Sequence, residues 1–365
     1  MVIADIARVL EAFAPLSLQE EYDNAGLLIG SSDNICTGIL CTLDVTEKVI
    51  EEAISKECNC IVAHHPVIFR GLKKITGSNE IERIVMKALQ NNIAVYAAHT
   101  NLDNVIEGVN GKIADKLALK NRSVLSAKKG TLKKLYTFVP TAHLDIVRDA
   151  LFSAGAGEIS NYSECSFTHA GTGTFKPGAG SDPYSGTPGE RKNEEEIKLE
   201  VILPAHREAS ILRALFESHP YEEVAYDLIS LDNNHQGTGS GILGELDAVD
   251  EASFLSVLQV FNPHLIRHTP FSGKKIRKVA VCGGAGSFLI KDAMRNGADA
   301  FVTADIKYHD FFVPEGKMLL CDIGHFESEQ FTIDLFCDIL LRNFPNFAVL
   351  KSEVKTNPVH YFTGN

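Results

Sequence analysis

Three short stretches of this chain carry imidazoles and carboxylates in patterns that suit a metal ion. His64 and His65 stand together in Ala63-His64-His65-Pro66, after the apolar run Cys60-Ile61-Val62-Ala63. His99 and Asp103 are four apart in Ala98-His99-Thr100-Asn101-Leu102-Asp103, after Ile93-Ala94-Val95-Tyr96-Ala97. Some 220 residues later, Gly324-His325-Phe326-Glu327-Ser328-Glu329 follows Lys317-Met318-Leu319-Leu320-Cys321. Such groups at the carboxyl ends of strands sit where an open α/β sheet places its chemistry. Mixed nitrogen and oxygen donors suit borderline divalent ions: zinc, iron, manganese or nickel.

Each stretch also has a plainer reading. Successive strand residues point to opposite faces. His64 and His65 therefore share a cleft only if the chain leaves extended geometry there, or else they hold different ions. Otherwise one caps the strand and the other is exposed. Asp103 alone would make an Asx turn. His325 and Glu329 are i and i+4, about 5–6 Å apart at Cβ on one helix face if the helix has begun by His325. Glu327, at i+2, points elsewhere. Jointly, His64, His65, His325, Asp103 and Glu329 exceed the four ligands one zinc needs. A carboxylate-bridged pair of ions about 3.5–4 Å apart would use all five.

Two weaker signals follow. Asp305 and His309 are four apart in Thr303-Ala304-Asp305-Ile306-Lys307-Tyr308-His309. They suit a substrate-facing acid/base pair or a partner orienting a ligand; equally, Asp305 could be an N-cap. Gly283-Gly284-Ala285-Gly286-Ser287 looks like a phosphate loop at a helix start. It lacks a Walker lysine and GxGxxG spacing, so a tight strand-to-helix turn is the safer reading.

The elements that must position these residues alternate. Residues 1–120 read as helix, strand, helix, strand: Ile3 to Phe13, Gly38 to Val45, a helix capped by Thr46, the run into His64, Glu80 to Asn91, the run into His99, and Gly111 to Leu119. The last ~125 residues repeat the rhythm, with strands Val279 to Cys282, Ala300 to Thr303 and Lys317 to Cys321, and helices over Phe288 to Asn296 and Glu327 to Leu341. Strands separated by helix-length segments imply βαβ units and a largely parallel sheet. The middle reads β-α-β-β-α-β, a ferredoxin-like order, and Asn233 to Gly241 reads as the linker leaving it. The expected fold is α/β: a discontinuous core of two βαβ-type halves, residues 1–126 and 237–365, with an inserted α+β domain over 127–236.

Composition narrows the function classes. The chain has 365 residues and is 45% hydrophobic, enough for sizeable cores and more than one domain. A net charge of −12 without a Lys/Arg block disfavours nucleic-acid and anionic-membrane partners. No apolar run reaches the roughly 18 residues of a membrane span. The N-terminus lacks a basic region and cleavage site, so no signal peptide is expected. Eight scattered cysteines without CxxC fit buried thiols in a reducing cytoplasm.

Taken together, Glu20-Glu21-Tyr22-Asp23-Asn24-Ala25-Gly26-Leu27-Leu28-Ile29-Gly30, His64-His65-Pro66, His99 to Asp103, Thr303 to His309 and Gly324 to Glu329 resemble the NIF-three-like family of dinuclear-metal-centre proteins, also called GTP cyclohydrolase I type 2 homologs. The likeness covers residues 1–125 and 240–365, and the middle resembles the PII- or CutA-like insert of longer members. The resemblance implies two divalent metal ions per chain on His64, His65, Asp103, His325 and Glu329, and a toroidal homohexamer with inward-facing sites. It implies a small-molecule substrate, possibly a nucleotide: a hydrolase attacking C8 of the GTP ring, with His99 or His309 shuttling protons and Asp305 beside them. The rivals are a metal-dependent phosphoesterase and a non-enzymatic regulatory or scaffold hexamer whose insert senses a ligand. Ala304 stands where many members have Gly, and Tyr22 where many have Trp; neither touches a presumed ligand.

Overall fold

Short, mostly apolar runs become the central strands. The computed structural model describes residues 1–362. Its first strands are β1 (Gly26–Ile29), β2 (Ile39–Thr42), β3 (Cys60–Ala63), β4 (Ala94–Ala97) and β5 (Lys120–Ala127). The middle supplies β6 (Leu132–Pro140), β7 (Ser166–Phe175), β8 (Lys192–Pro204) and β9 (Tyr226–Ser230). The rest supplies β10 (Gly239–Asp250), β11 (Arg267–His268), β12 (Lys275–Ala285), β13 (Ala300–Ala304), β14 (Leu319–Asp322) and β15 (Val349–Lys351). Among the described residues no helix is long and apolar enough to cross a membrane. Seven of the eight cysteines are buried and all are free thiols.

Residues 1–126 and 237 onward form one compact unit, and Ala127–Gln236 a second. The first unit holds two sheets, ordered β1-β4-β3-β2-β15 and β11-β14-β13-β12-β10-β5. In the first sheet, β15, β2, β3 and β4 run parallel, and β1 is antiparallel to β4. In the second, β12, β13 and β14 run parallel, flanked by antiparallel β10 and β11. Every residue of β2, β3, β4, β13 and β14 is buried, which is why these strands are apolar apart from Thr42, Thr303 and Asp322 at or near their carboxyl ends.

One core cluster contains Cys41, Val62 and Tyr96 of the first sheet and Val281, Val302 and Cys321 of the second, with helices Ile3–Phe13, Val109–Lys116 and Thr332–Asn343 packed among them. Smaller clusters cover the other faces of the two sheets. Helix Glu47–Ser55 packs on the first sheet with Val49, Ile50 and Ala53. Its N-cap is Thr46, whose hydroxyl accepts from Val49 N at 3.3 Å, satisfying a donor that the first turn leaves free.

The second unit has the element order β-α-β-β-α-β and one antiparallel sheet, β7-β8-β6-β9. Leu135, Val139, Leu199 and Val201 pack under helices Leu144–Ser153 and Glu208–Ser218, making a core drawn from this unit alone.

Three readings of the sequence change. The stretch read as a linker, Asn233 to Gly241, already contains the start of β10 at Gly239. The helix expected over Glu327 to Leu341 is two, His325–Glu329 and Thr332–Asn343. Asp305 adopts φ +53°, and regular structure resumes only as a 3₁₀ turn at Tyr308–Phe312. No helix therefore places Asp305 and His309 on one face.

Candidate metal centre

The ends of β3, β4 and β14 converge on one point of the first unit. Beyond β3 the chain bends at once: His64 N and His65 N both donate to Leu43 O, at 3.2 and 3.0 Å. That departure from extended geometry lets neighbouring imidazoles face one cleft. Beyond β4, a four-residue helix, Thr100–Asp103, carries Asp103 back toward them. Beyond β14, Gly324 at φ +96° turns the chain into helix His325–Glu329, where a Cβ would meet the Glu327 carboxylate at 2.3 Å.

Each imidazole is held by its Nδ1. That of His64 lies 2.8 Å from Ala98 O, that of His65 2.7 Å from Asp44 Oδ1, that of His99 2.7 Å from Asp23 Oδ1, and that of His325 2.6 Å from Asp305 Oδ2. A carbonyl or a carboxylate only accepts, so every Nδ1 carries the proton and donates. Whenever such a ring is neutral, its Nε2 lone pair is the one that faces inward, the usual arrangement for a metal-binding histidine.

Those lone pairs meet carboxylate oxygens. His64 Nε2 lies 3.7 Å from both Asp103 Oδ1 and Glu329 Oε1. Glu329 Oε2 is 3.1 Å from His65 Nε2 and 3.0 Å from His325 Nε2, and the two Nε2 atoms are 3.4 Å apart. His64, His65 and His99 offer one donor group, and His65, His325 and Glu329 another, with ligand atoms within 4.8 Å in each. His64 Nε2 and Asp103 Oδ1 are buried and have no hydrogen-bond partner. Enclosed lone pairs facing one another without a proton are costly, and a cation between them removes the cost. The residues present fit a metal.

A family model, DUF34/NIF3 (NGG1p interacting factor 3), matches residues 1–358. The chain belongs to the DUF34/NIF3 family. A protein of Halalkalibacterium halodurans named GTP cyclohydrolase 1 type 2 homolog is 42% identical over 327 residues, spanning 88% of this chain and 87% of that one. Its namesake in Bacillus subtilis is 40% identical over 331 residues, spanning 89% and 88%. Among solved structures, a Bacillus cereus protein related to NIF3 superposes with TM-score 0.86 at 36% identity, covering 99% of each chain.

In this DUF34/NIF3 chain the electrostatics follow from the packing. Burial opposes charge on Glu329, but His64, His325 and His65 outweigh it and hold the carboxyl far down. Burial likewise opposes charge on His65 and His325, yet Asp44 and Glu329 push the first up to about 9, and Asp305 and Glu329 push the second up to about 11. His64, wholly enclosed, is lowered by burial. Asp103 is raised well above the carboxylate range, by burial and then by the charge of Glu329.

Of the residues singled out from sequence, His64, His65, Asp103, His325 and Glu329 lie in this cluster, and His99 adjoins it, its ring centre 5.2 Å from that of His64 and 5.5 Å from that of His65. Asp305 faces His325, not His309. His309 is exposed and packs edge-on against Tyr308, so an acid/base pair of Asp305 with His309 is not formed. The Gly283–Gly286 segment is no phosphate loop in shape: β12 runs to Ala285, and a Cβ at Gly284 would meet Glu329 Oε1 at 2.4 Å. Gly283 and Gly284 make room for the Glu329 side chain. Sequence reasoning missed Asp44 and the anchoring task of Asp23. Asp44 sits just past the carboxyl end of β2, a position that could have flagged it.

Proposed function

We propose that the chain is a metal-dependent hydrolase in which His64, His65, Asp103, His325 and Glu329 would hold two divalent ions. The carrying observation is the buried, unpartnered pair His64 Nε2 and Asp103 Oδ1, 3.7 Å apart. Two bound ions would supply a Lewis-acidic centre and a water acidified toward neutral pH. Zinc, iron, manganese and nickel all suit the donor set.

The chain's own groups supply the rest. Ala98 O, Asp44 and Asp305 fix the ligand rings. His99, held by Asp23, turns its Nε2 to the same centre and is the group for moving a proton. A cavity of about 450 Å³ opens beside His65 and His325, bounded by Arg267, Phe326 and Tyr361, a size that admits a small molecule. The substrate is a nucleotide, with the GTP ring at C8 first and a phosphoester second. The names of the curated relatives support the first. Since the chain carries −12, local positive charge must come from the ions, Arg267 or Lys307.

The reading extends to a toroidal homohexamer in the cytoplasm, with residues 127–236 as a PII- or CutA-like insert. A second reading, a non-enzymatic regulatory hexamer, is favoured by the separate core of the second unit. Turnover separates them. Metal-loaded wild type should convert GTP or a phosphoester, and His65→Ala should not, with products followed by mass spectrometry. No product from wild type with both ions bound moves the assignment to the regulator.

A further inference from the structure

The second unit contains a cavity that the metal chemistry does not use. It measures about 420 Å³ and lies among strands β6, β7 and β8, the loop after β7 and the segment before β9. Its walls are aromatic: Phe138, Phe175, Tyr184 and Tyr221. Ring centres of Phe175 and Tyr221 are 6.1 Å apart, and those of Tyr184 and Tyr221 5.8 Å, both pairs tilted. Tilted rings a few ångströms apart present several π faces to one volume.

A carboxylate forms the floor. Glu196 is 8% exposed. Its one hydrogen bond among the described residues comes from Tyr221, whose hydroxyl donates to Oε1 at 2.7 Å. No lysine, arginine or histidine pairs with it among the described residues. A buried carboxylate without a cationic partner is unusual, because the charge loses its hydration and gains little in return. The backbone makes room for it: a Cβ at Gly173, two residues along β7 from Glu196's cross-strand partner Gly171, would come within 2.0 Å of Glu196 Oε2. Glu222 and Glu223 add negative charge to the wall, and the lining's single cation, Lys176, is exposed.

The loop over the cavity is pinned. Asp182 N donates to the Glu222 carboxylate at 3.0 and 3.1 Å. Tyr184 Oη meets His143 Nε2 at 3.1 Å, and Ser185 Oγ donates to Glu194 at 2.7 Å. Tyr184 is thereby held beside Tyr221, although half of it remains exposed.

We propose that this cavity binds a small organic cation, an alkylammonium or guanidinium compound. Its charge lies over the faces of Tyr184, Tyr221 and Phe175 and against Glu196. Ring quadrupoles attract a cation within about 6 Å of the centroid, and the unpaired carboxylate supplies the counter-charge. An anion such as a nucleotide is refused by the same groups, so this site differs in ligand class from the metal centre.

The test is titration calorimetry on the full chain with choline, spermidine and arginine, and with ATP, magnesium ion and a lysine-rich peptide as contrasts. Wild type should bind at least one of the three organic cations saturably, and ATP not at all. Glu196→Gln should weaken that binding roughly tenfold or more, the scale of one charge-assisted contact. Tyr184→Ala, on the exposed loop, should weaken it several-fold while leaving the circular dichroism unchanged. Should Glu196→Gln fail to fold, Tyr184→Ala decides alone. Absence of binding by all three cations at ~10 mM overturns the proposal, as does binding that survives both substitutions. Preference for ATP or for magnesium also overturns it. Binding of the lysine-rich peptide alone means that the cation is presented by a protein, and the small-molecule assignment fails.

Discussion

Eight groups shape the candidate metal centre, and three of them are not proposed ligands. Asp44, Asp305 and the Ala98 carbonyl fix which nitrogen of each ring faces inward. Anchors of this kind typically govern metal affinity by 10–100-fold. Asp44→Asn should therefore lower affinity by roughly that factor with the fold intact, read by competition with a fluorescent chelator. An unchanged affinity would show that His65 is held by packing alone. Glu329→Gln should lose most bound metal, whereas Glu327→Gln should lose little. Glu327 faces away, its Oε1 accepting from Asn357 Nδ2 at 3.2 Å. Elemental analysis of the two variants after identical reconstitution gives the comparison; equal losses would place Glu327 among the ligands. Elemental analysis of wild type should approach two ions per chain, and a value never above one removes the dinuclear centre.

At the level of elements, one staple near the site should respond to acid. Glu82, on helix Glu80–Gln90, accepts from the Thr76 hydroxyl, then from the amides of Thr76 and Ser78. These bonds pull its carboxyl from 4.5 down to about 2. A folded-state value below the unfolded one contributes stability above about pH 4.5 and loses it as pH falls toward about 2. The loop so tied includes Phe69, whose ring centre is 6.3 Å from that of His99. Amide exchange at Thr76 and Ser78, corrected for intrinsic rates, should quicken across that window in wild type. In Glu82→Gln it should already be fast at neutral pH. Protection that persists at pH 2 would assign the loop's order to other contacts.

The same scale shows what the sequence could and could not tell. Central strands were legible because burial on both faces forces unbroken apolar runs such as Cys60-Ile61-Val62-Ala63. β1, β5, β10, β11 and β15 were not read as strands. They are edge, antiparallel or very short elements with mixed exposure, and β10 opens with Gly239, Ser240 and Gly241, which look like a linker. The five candidate ligands stood out by residue type and by their place after strands. Their anchors did not: Asp44 is 21 residues from His65, Asp23 76 from His99 and Asp305 20 from His325. Such pairings are set by sheet order, which no local pattern encodes. The split of the last helix after Glu329 was equally hidden, since Gln330 and Phe331 are ordinary helical residues.

For the whole molecule, the two units have separate cores: the second unit's cluster draws on residues 135–228 only, and the first unit's clusters contain none of these. The first unit's ends at the junction belong to neighbouring strands, with Leu125 beside Gly241 and Leu119 beside Gly244. Replacing residues 127–236 with a short linker should therefore leave a folded core that still takes up metal, checked by circular dichroism and elemental analysis. An insoluble or metal-free product would show that the cores depend on each other. Within the first unit such surgery should fail. Phe336 is wholly enclosed in the cluster that joins both sheets, and Phe336→Ala should cost about 3–5 kcal/mol, measured by chemical denaturation.

The placement of β15 beside β2 has a consequence for how the protein is made. His64, His65 and Asp103 leave the ribosome early, but Glu329 follows some 220 residues later, and the strand that completes the first sheet later still. During synthesis the early histidines precede the carboxylate of Glu329. On the proposed ligand set, a chain stalled before His325 would carry three of the five donors and lack the Glu329 carboxylate that faces His65 Nε2.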